Sequence, residues 1–123
     1  MQSYRTLISW QKSMDLVEDV YKLTNKLPKD ELYSLSNQLR RAAVSIPSNI
    51  AEGHDRNSLR QYINFLMIAI SSNSELQTQL EICVRIGYLT RAEVKPVFLL
   101  SQEITKILRS TVASLKKKQT ADS

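Results

Sequence analysis

The chain has few of the residues that interrupt helices or cross-link a fold. Its 123 residues include two glycines, three prolines and one cysteine. The single cysteine, Cys83, excludes an intrachain disulfide and any zinc site built from several cysteines, and we expect it to be a small buried helix residue. Because strand-like alternation of apolar and polar residues is also missing, the sequence favours an all-α fold.

Several kinds of functional site are missing as well. The one histidine, His54, cannot supply the two Glu-x-x-His pairs of a di-iron site, and there is no glycine-rich phosphate loop. No apolar run approaches the roughly 20 residues of a membrane span, and the N-terminal residues lack the pattern of a signal peptide. We therefore expect a cytoplasmic protein with no catalytic residues, no metal, no cofactor and no membrane contact.

Four segments have apolar residues at the three- and four-residue spacing of amphipathic helices, at about residues 9–27, 31–53, 58–86 and 91–117. The connections between them are short, which makes neighbouring helices antiparallel. The sequence therefore predicts an up-down-up-down four-helix bundle with a single domain at residues 1–118. Residues 119–123 are expected to form a disordered tail.

Local signals predict where the helices begin and end. Ser58 with Gln61, and Thr90 with Glu93, have the spacing of a capping box. The two glycines, at positions 53 and 87, are predicted to end the second and third helices.

Two further predictions concern the core. The core face of the first helix is predicted to consist of Trp10, Met14, Val17, Tyr21 and Thr24. On the third helix, Asn73 falls among apolar residues, and we expect it to be a core amide bonded to a neighbouring group.

The third helix is apolar on too many sides for one core. Residues 65–70 are six consecutive apolar residues, and a helix that is hydrophobic all round must be buried all round. We expect a second copy of the chain to cover its outer face. On the second helix, small and polar residues form a further candidate contact face, with an ordinary solvated face as the alternative. The candidate interface residues are Arg41, Ser45, Ser48, Glu52, Met67, Ile68, Ile82 and Ile86.

The net charge of +5 and the pI of about 9.5 are compatible with nucleic-acid binding. The candidate contact residues are Arg40, Arg41, Arg56, Arg60, Arg85, Arg91, Lys95, Lys116, Lys117 and Lys118. In an up-down bundle they lie near both ends, so one copy offers scattered charge. An oligomer would repeat each cluster and could form a continuous basic band, which binds phosphates with little sequence specificity.

Two sequence segments carry a family resemblance. Residues 38–53, QLRRAAVSIPSNIAEG, and residues 74–82, SELQTQLEI, followed by GYL at 87–89, resemble the bacterial family of 23S rRNA-intervening sequence proteins. The similarity covers roughly residues 5–115. It implies an antiparallel four-helix bundle that assembles as a homopentamer and has no established catalytic activity. The signature residues that it implies are Arg41, Ser45, Pro47, Asn49, Glu52 and Gly53.

The implied architecture is also similar to the accessory variability determinant of diversity-generating retroelements. That protein is a basic pentamer that binds nucleic acid and a reverse transcriptase. The first hypothesis is therefore a non-enzymatic homo-oligomer that binds structured RNA or DNA through a repeated basic surface. The second is a protein-interaction scaffold in which the charge is incidental. The third, an enzyme, has no supporting constellation of residues.

Overall fold

The fold is an antiparallel bundle of four α-helices, as the apolar spacing predicts. The computed structural model describes residues 2–121. The helices are α1 (Ile8–Thr24), α2 (Leu35–His54), α3 (Leu59–Arg85) and α4 (Arg91–Ala121), with short 3-10 helices at Tyr4–Thr6 and Lys29–Glu31. Each helix packs against the next and α1 also packs against α4, so that the four surround one apolar core. The expected fold class is confirmed.

The start of α2 differs from the prediction. The helix begins at Leu35 and not near residue 31, because residues 29–31 form a 3-10 helix of their own. The Glu31 carboxylate then accepts hydrogen bonds from the Ser34 hydroxyl at 2.6 Å and from the Leu35 N–H at 3.3 Å. It thereby satisfies an amide at the helix start that has no partner within the helix.

The end of α4 also differs from the prediction. The helix continues to Ala121, so residues 119–121 are helical where a disordered tail was expected. Residues 122–123 of that expected tail lie outside the described residues. Within residues 2–121, no helix combines the length and the hydrophobicity needed to cross a membrane.

Both predicted helix caps are present, the first through one of the two bonds of a capping box and the second through both. The Ser58 hydroxyl accepts a hydrogen bond from the Gln61 N–H at 3.2 Å. At the start of α4 the exchange is reciprocal: the Thr90 hydroxyl accepts from the Glu93 N–H at 3.1 Å, and the Glu93 carboxylate accepts from the Thr90 N–H at 2.9 Å. These bonds satisfy N-terminal amides and fix where α3 and α4 begin.

The two glycines have different roles, and one prediction is wrong. Gly87 has a φ of +84°, and the Tyr88 N–H donates to the Cys83 carbonyl at 2.9 Å, so α3 ends in the predicted left-handed turn. Gly53 does not end α2 but lies inside it. A Cβ added there would lie 2.6 Å from the Cβ of Phe65 on α3. Glycine is needed at this position because the two helices approach closely.

The core face of α1 is also different from the predicted one. Its buried residues are Ser9, Ser13, Leu16, Val20, Leu23 and Thr24. Of the predicted face only Thr24 is buried, whereas Met14 and Tyr21 are 41% and 40% exposed. Both sets have helical spacing, and the aliphatic set is the one that packs at the centre of the bundle.

A buried polar cluster joins α3 to α4. Asn73 is fully buried, and its Nδ2 donates to the Ser101 carbonyl and the Thr105 hydroxyl, both at 2.7 Å. The Ser101 hydroxyl donates to Asn73 Oδ1 and accepts from Gln77 Nε2 at 2.8 Å. The predicted core amide is confirmed. Because its partners lie on one segment of α4, this amide fixes the axial position of the two helices.

The substitution Gly53→Ala tests the close approach of α2 and α3. In a helix interior, alanine is normally more favourable than glycine by about 1 kcal/mol. Here the added methyl group overlaps the Cβ of Phe65, which is anchored to α3 and cannot rotate away. We expect the free energy of unfolding to fall by about 1–3 kcal/mol, measured by urea denaturation.

Gly87→Ala is the control for this experiment. A Cβ added at Gly87 meets no heavy atom within 4 Å, so only the positive φ opposes the change, by about 1–2 kcal/mol. A Gly53→Ala protein that is more stable than wild type would contradict the close approach.

Candidate functional site

The predicted basic residues lie at both ends of the bundle. The alternating helix directions place Arg40, Arg85, Arg91 and Lys95 near the end that carries the α1–α2 and α3–α4 connections. Arg41, next to Arg40 on α2, lies toward that same end, and the remaining candidates, at positions 56, 60 and 116–118, lie toward the opposite end. The structure does not bring the ten residues into one patch.

Two of the predicted residues have structural roles. Arg40 donates through Nε to the Thr24 hydroxyl at 2.8 Å and through Nη2 to Asn25 Oδ1 at 3.1 Å, and it lies 4.7 Å above the Tyr21 ring. It therefore ties the start of α2 to the end of α1. Similarly, Arg56 pairs with a carboxylate one helical turn earlier and covers an aromatic ring of α3.

One carboxylate serves two other predicted arginines. Glu81 accepts a hydrogen bond from Arg85 Nε at 3.0 Å and two from the guanidinium of Arg91, at 2.5 and 3.2 Å. The Arg91 guanidinium, followed by that of Arg85, lowers the pKa of Glu81 to about 2. The three side chains together carry one net positive charge and not two, which weakens this cluster as a phosphate site.

The charges of α4 are divided between two sides of the helix. Its two acidic residues face the α1 side of the bundle, where Glu93 pairs at 2.9 Å with Lys26, just after the end of α1, and Glu103 pairs with Lys12 of α1. Its seven basic residues give α4 an excess of five positive charges, equal to the net charge of the whole chain. The acidic residues are thus paired on the α1 side of α4, and most of the basic ones face elsewhere.

We call one set of these residues the α4 basic stripe. It consists of Lys95, Lys106, Arg109, Lys116 and Lys117. At 3.6 residues per turn they lie within about 100° of one another, on the outer side of α4, and they span roughly 33 Å. All five are exposed, and none forms an ion pair within residues 2–121. Lys118 points toward a different side.

The sequence analysis missed two members of the stripe. Lys106 and Arg109 lie between the predicted Lys95 and the predicted lysines near the C-terminus. Their spacing from Lys95 follows the helical repeat, and that spacing was the available signal. The sequence did not show that the acidic residues of α4 turn away from this side.

Three of the four polar interface candidates on α2, namely Ser45, Ser48 and Glu52, have hydrogen-bond or ion-pair partners within the chain, and Arg41 is the exception among the described residues. The Ser45 hydroxyl bonds that of Ser72 on α3 at 2.8 Å, and Asn49 Nδ2 donates to the Ser45 carbonyl and hydroxyl at 2.7 and 2.9 Å. Ser48 donates to a backbone carbonyl of its own helix, and Glu52 pairs with an arginine one turn later. With the buried Pro47 and the tightly packed Gly53, several signature residues therefore build α2 and its contact with α3.

The apolar interface candidates, by contrast, have no complete covering within one chain. Met67, Ile68, Ile82 and Ile86 are 39%, 48%, 42% and 54% exposed. All four lie on α3 or at its C-cap, facing away from the core. Exposed apolar residues that share one face are typical of a protein contact surface.

A second apolar surface lies between α1 and α2. It is a shallow groove with a volume of about 340 Å³. Its lining residues are Tyr4, Trp10, Met14, Val17, Val44, Pro47, Ser48 and Ala51. Several of them belong to the face of α1 that was predicted to be core. The groove explains why that face is apolar although it does not reach the centre of the bundle.

The remaining reactive side chains are isolated. Cys83 is buried as predicted, and burial raises the pKa of its thiol to about 11, which keeps the thiol protonated near neutral pH. His54 packs edge-on against the Tyr62 ring with centroids 5.7 Å apart. Residues 2–121 contain no group of three or more His, Cys, Asp or Glu side chains that could hold a metal ion.

Comparisons with known proteins agree with this architecture. Residues 5–110 match the model of a family described as 23S rRNA-intervening sequence protein. A similar solved structure is a protein of unknown function from the S23 ribosomal protein family of Bacteroides thetaiotaomicron VPI-5482. It is 29% identical, with a TM-score of 0.80, and the match covers 85% of this chain and 98% of that one. A search of curated proteins gave no match.

The Glu93 carboxylate, which caps the start of α4 and pairs with Lys26, predicts an acid-dependent loss of stability. Hydrogen bonds from the Thr90 backbone and from Lys26 lower the pKa of Glu93 to about 2 from its usual 4.5. A carboxyl whose pKa falls on folding stabilises the fold above its unfolded pKa, and this contribution is lost as pH falls through the folded pKa. We expect Glu93→Gln to lower the thermal midpoint at pH 7 and to match wild type near pH 2.

The control for this prediction is Glu18→Gln. Glu18 is exposed on α1 and has no ion-pair or hydrogen-bond partner within residues 2–121. Its midpoints should follow those of wild type across the pH series. A Glu93→Gln deficit that is the same at pH 2 and pH 7 would show that the charge of Glu93 does not stabilise the fold.

Proposed function

The chain belongs to the 23S rRNA-intervening sequence protein family, and on that premise we propose that it is a non-enzymatic, homo-oligomeric, cytoplasmic protein that binds structured RNA or DNA. The α4 basic stripe is the proposed contact surface. The observation that carries this proposal is the division of charge on α4, where both acidic residues pair with lysines on the α1 side and the five basic residues of the stripe remain unpaired.

The geometry of the stripe suits a nucleic-acid backbone. Double-stranded DNA has one negative charge per roughly 1.7 Å of axis. A straight row of lysine and arginine side chains about 33 Å long therefore faces several phosphates. Lysine and arginine contacts to phosphate give affinity without reading the bases. Since the stripe contains no aromatic residue and lies on a convex helix surface, we expect recognition of shape and charge and not of sequence.

Self-association would strengthen this binding. A single stripe of five charges gives few phosphate contacts and a correspondingly weak, salt-sensitive affinity. Several copies held together would present several stripes at once, and the second contact would form at a high effective concentration. The exposed isoleucines of α3 support self-association. A copy number of five comes from the family resemblance alone.

The alternative function is a protein-interaction scaffold. The observation that favours it is the apolar surface between the outer sides of α3 and α4, where Ile82, Ile86 and Leu99 are each at least 42% exposed. In that case the basic stripe would serve solubility only, and the protein would not bind nucleic acid even at low salt.

The substitution pair Lys106→Gln/Arg109→Gln tests the nucleic-acid proposal. We expect weaker binding to a labelled RNA hairpin and to duplex DNA, measured by fluorescence anisotropy across a salt series. The logarithm of affinity should also fall less steeply with the logarithm of salt concentration. On duplex DNA the slope should decrease by roughly 1.8 per contacting subunit, about 0.9 for each lost phosphate contact.

The matched control is Lys22→Gln/Lys29→Gln, which removes the same charge from exposed positions away from the stripe. Its affinity and slope should stay near wild type. Equal losses in the two double variants would mean that only net charge matters. No binding by wild type at low salt would refute the proposal and favour the scaffold.

Light scattering tests the oligomeric part of the proposal. We expect wild type to have a solution mass that is a multiple of the 14.1 kDa of one chain. Unlike the affinity for nucleic acid, this mass should not depend on salt concentration, because burial of apolar surface is not screened by ions. A mass of one chain at micromolar concentration would refute self-association.

A further inference from the structure

Two apolar surfaces of one chain lie at the same height along the bundle. The α1–α2 groove, defined above, is concave. The second surface, which we call the α3 ridge, is an exposed strip along α3 that consists of Met67, Ile68 and Glu75, with the serines between them, and it borders a shallow depression of about 280 Å³. The ridge and the groove lie on different sides of the bundle, so the ridge of one chain cannot enter its own groove.

The contacts between helices establish this common height. Val17 lines the groove with Val44, so these residues of α1 and α2 are level. Ser45 bonds Ser72 across α2 and α3, which makes residue 49 of α2 level with Ile68. The centre of the groove, near Ser48, is therefore within about two residues, or 3 Å, of the height of Ile68.

Charges beside the two surfaces are complementary. Arg41 lies one turn before Val44 on the outer side of α2, and Glu75 lies two turns after Ile68 on α3. Both are exposed, and neither has a hydrogen-bond or ion-pair partner within residues 2–121. By the same count along the helices, Arg41 and Glu75 are nearly level. When Ile68 faces the groove of a neighbouring copy, Glu75 of the first copy lies opposite Arg41 of that neighbour.

We propose that the α3 ridge of one copy docks into the α1–α2 groove of a second copy, with Ile68 against the groove and Glu75 paired with Arg41. This inference rests on the self-association in the proposed function and specifies which surfaces meet. Because the surfaces differ, an open assembly keeps one free ridge at one end and one free groove at the other until it closes on itself. Copies related by rotation about an axis parallel to the bundle keep the heights matched, so this contact leads to a closed ring.

The proposal makes a specific prediction for two variants, each blocked on one surface. Val44→Glu places a charge in the groove, and Ile68→Glu places one on the ridge. Both positions are exposed in the single chain, at 40% and 48%, so the fold is retained. Each charge would be buried without a partner in the assembly, which strongly disfavours the contact. By light scattering, each variant alone should have the mass of one chain.

An equimolar mixture of the two variants distinguishes unlike surfaces from like ones. The intact ridge of Val44→Glu can still enter the intact groove of Ile68→Glu, which forms one contact and no more. The mixture should therefore contain a heterodimer with twice the mass of one chain. An interface in which the ridges of two copies face each other would instead leave Val44→Glu a dimer on its own, because its ridge is intact, and would leave Ile68→Glu a single chain.

The control is Leu99→Glu, an exposed apolar residue of α4 that belongs to neither surface and should keep the wild-type mass. If wild type is oligomeric but either blocked variant keeps its mass, or the mixture contains no heterodimer, this pairing of surfaces is wrong and self-association stands. If wild type is itself a single chain, both this inference and the oligomeric part of the proposed function are refuted.

Discussion

The close contact of α2 and α3 is the constraint on which the other features depend. Gly53 allows the two helix backbones to approach where any side chain would meet Phe65, and the bond between Ser45 and Ser72 holds the same two helices further along. Together these contacts set the height of every residue on one helix relative to the other. The position of Ile68 relative to Val44, and hence the proposed contact between copies, follows from that register.

The division of charge on α4 follows from a second packing relationship. Lys12 of α1 and Lys26, two residues after the end of α1, pair with the two carboxylates of α4. Exposed ion pairs of this kind contribute little to stability. Their larger consequence is electrostatic, since pairing on the α1 side leaves the outer side of α4 with positive charge only. A surface with one sign of charge attracts polyanions, and a helix with mixed charges on each side would not.

Two sets of apolar residues on α1 have the same helical spacing but different roles. Leu16, Val20 and Leu23 fill the core, while Trp10, Met14 and Val17 line the outer groove, and each set repeats every three to four residues. The predicted core face of α1 was therefore offset from the observed one. A helix with two apolar sides buries one in its own bundle, and the other side of α1 is the one we propose for contact with a second copy.

Local signals in the sequence determined the number of helices, their antiparallel order, both predicted helix caps and the left-handed turn at Gly87. Each of these depends on residues within a few positions of one another. The sequence also indicated that Ile68 and Ile82 would lack cover and that Asn73 would be a bonded core amide. Only the tertiary structure decided which side of α1 faces the core, that α2 and α3 approach closely at Gly53, and which basic side chains of α4 stay unpaired. Those outcomes depend on which residues of other helices lie opposite, and spacing along one helix does not contain that information.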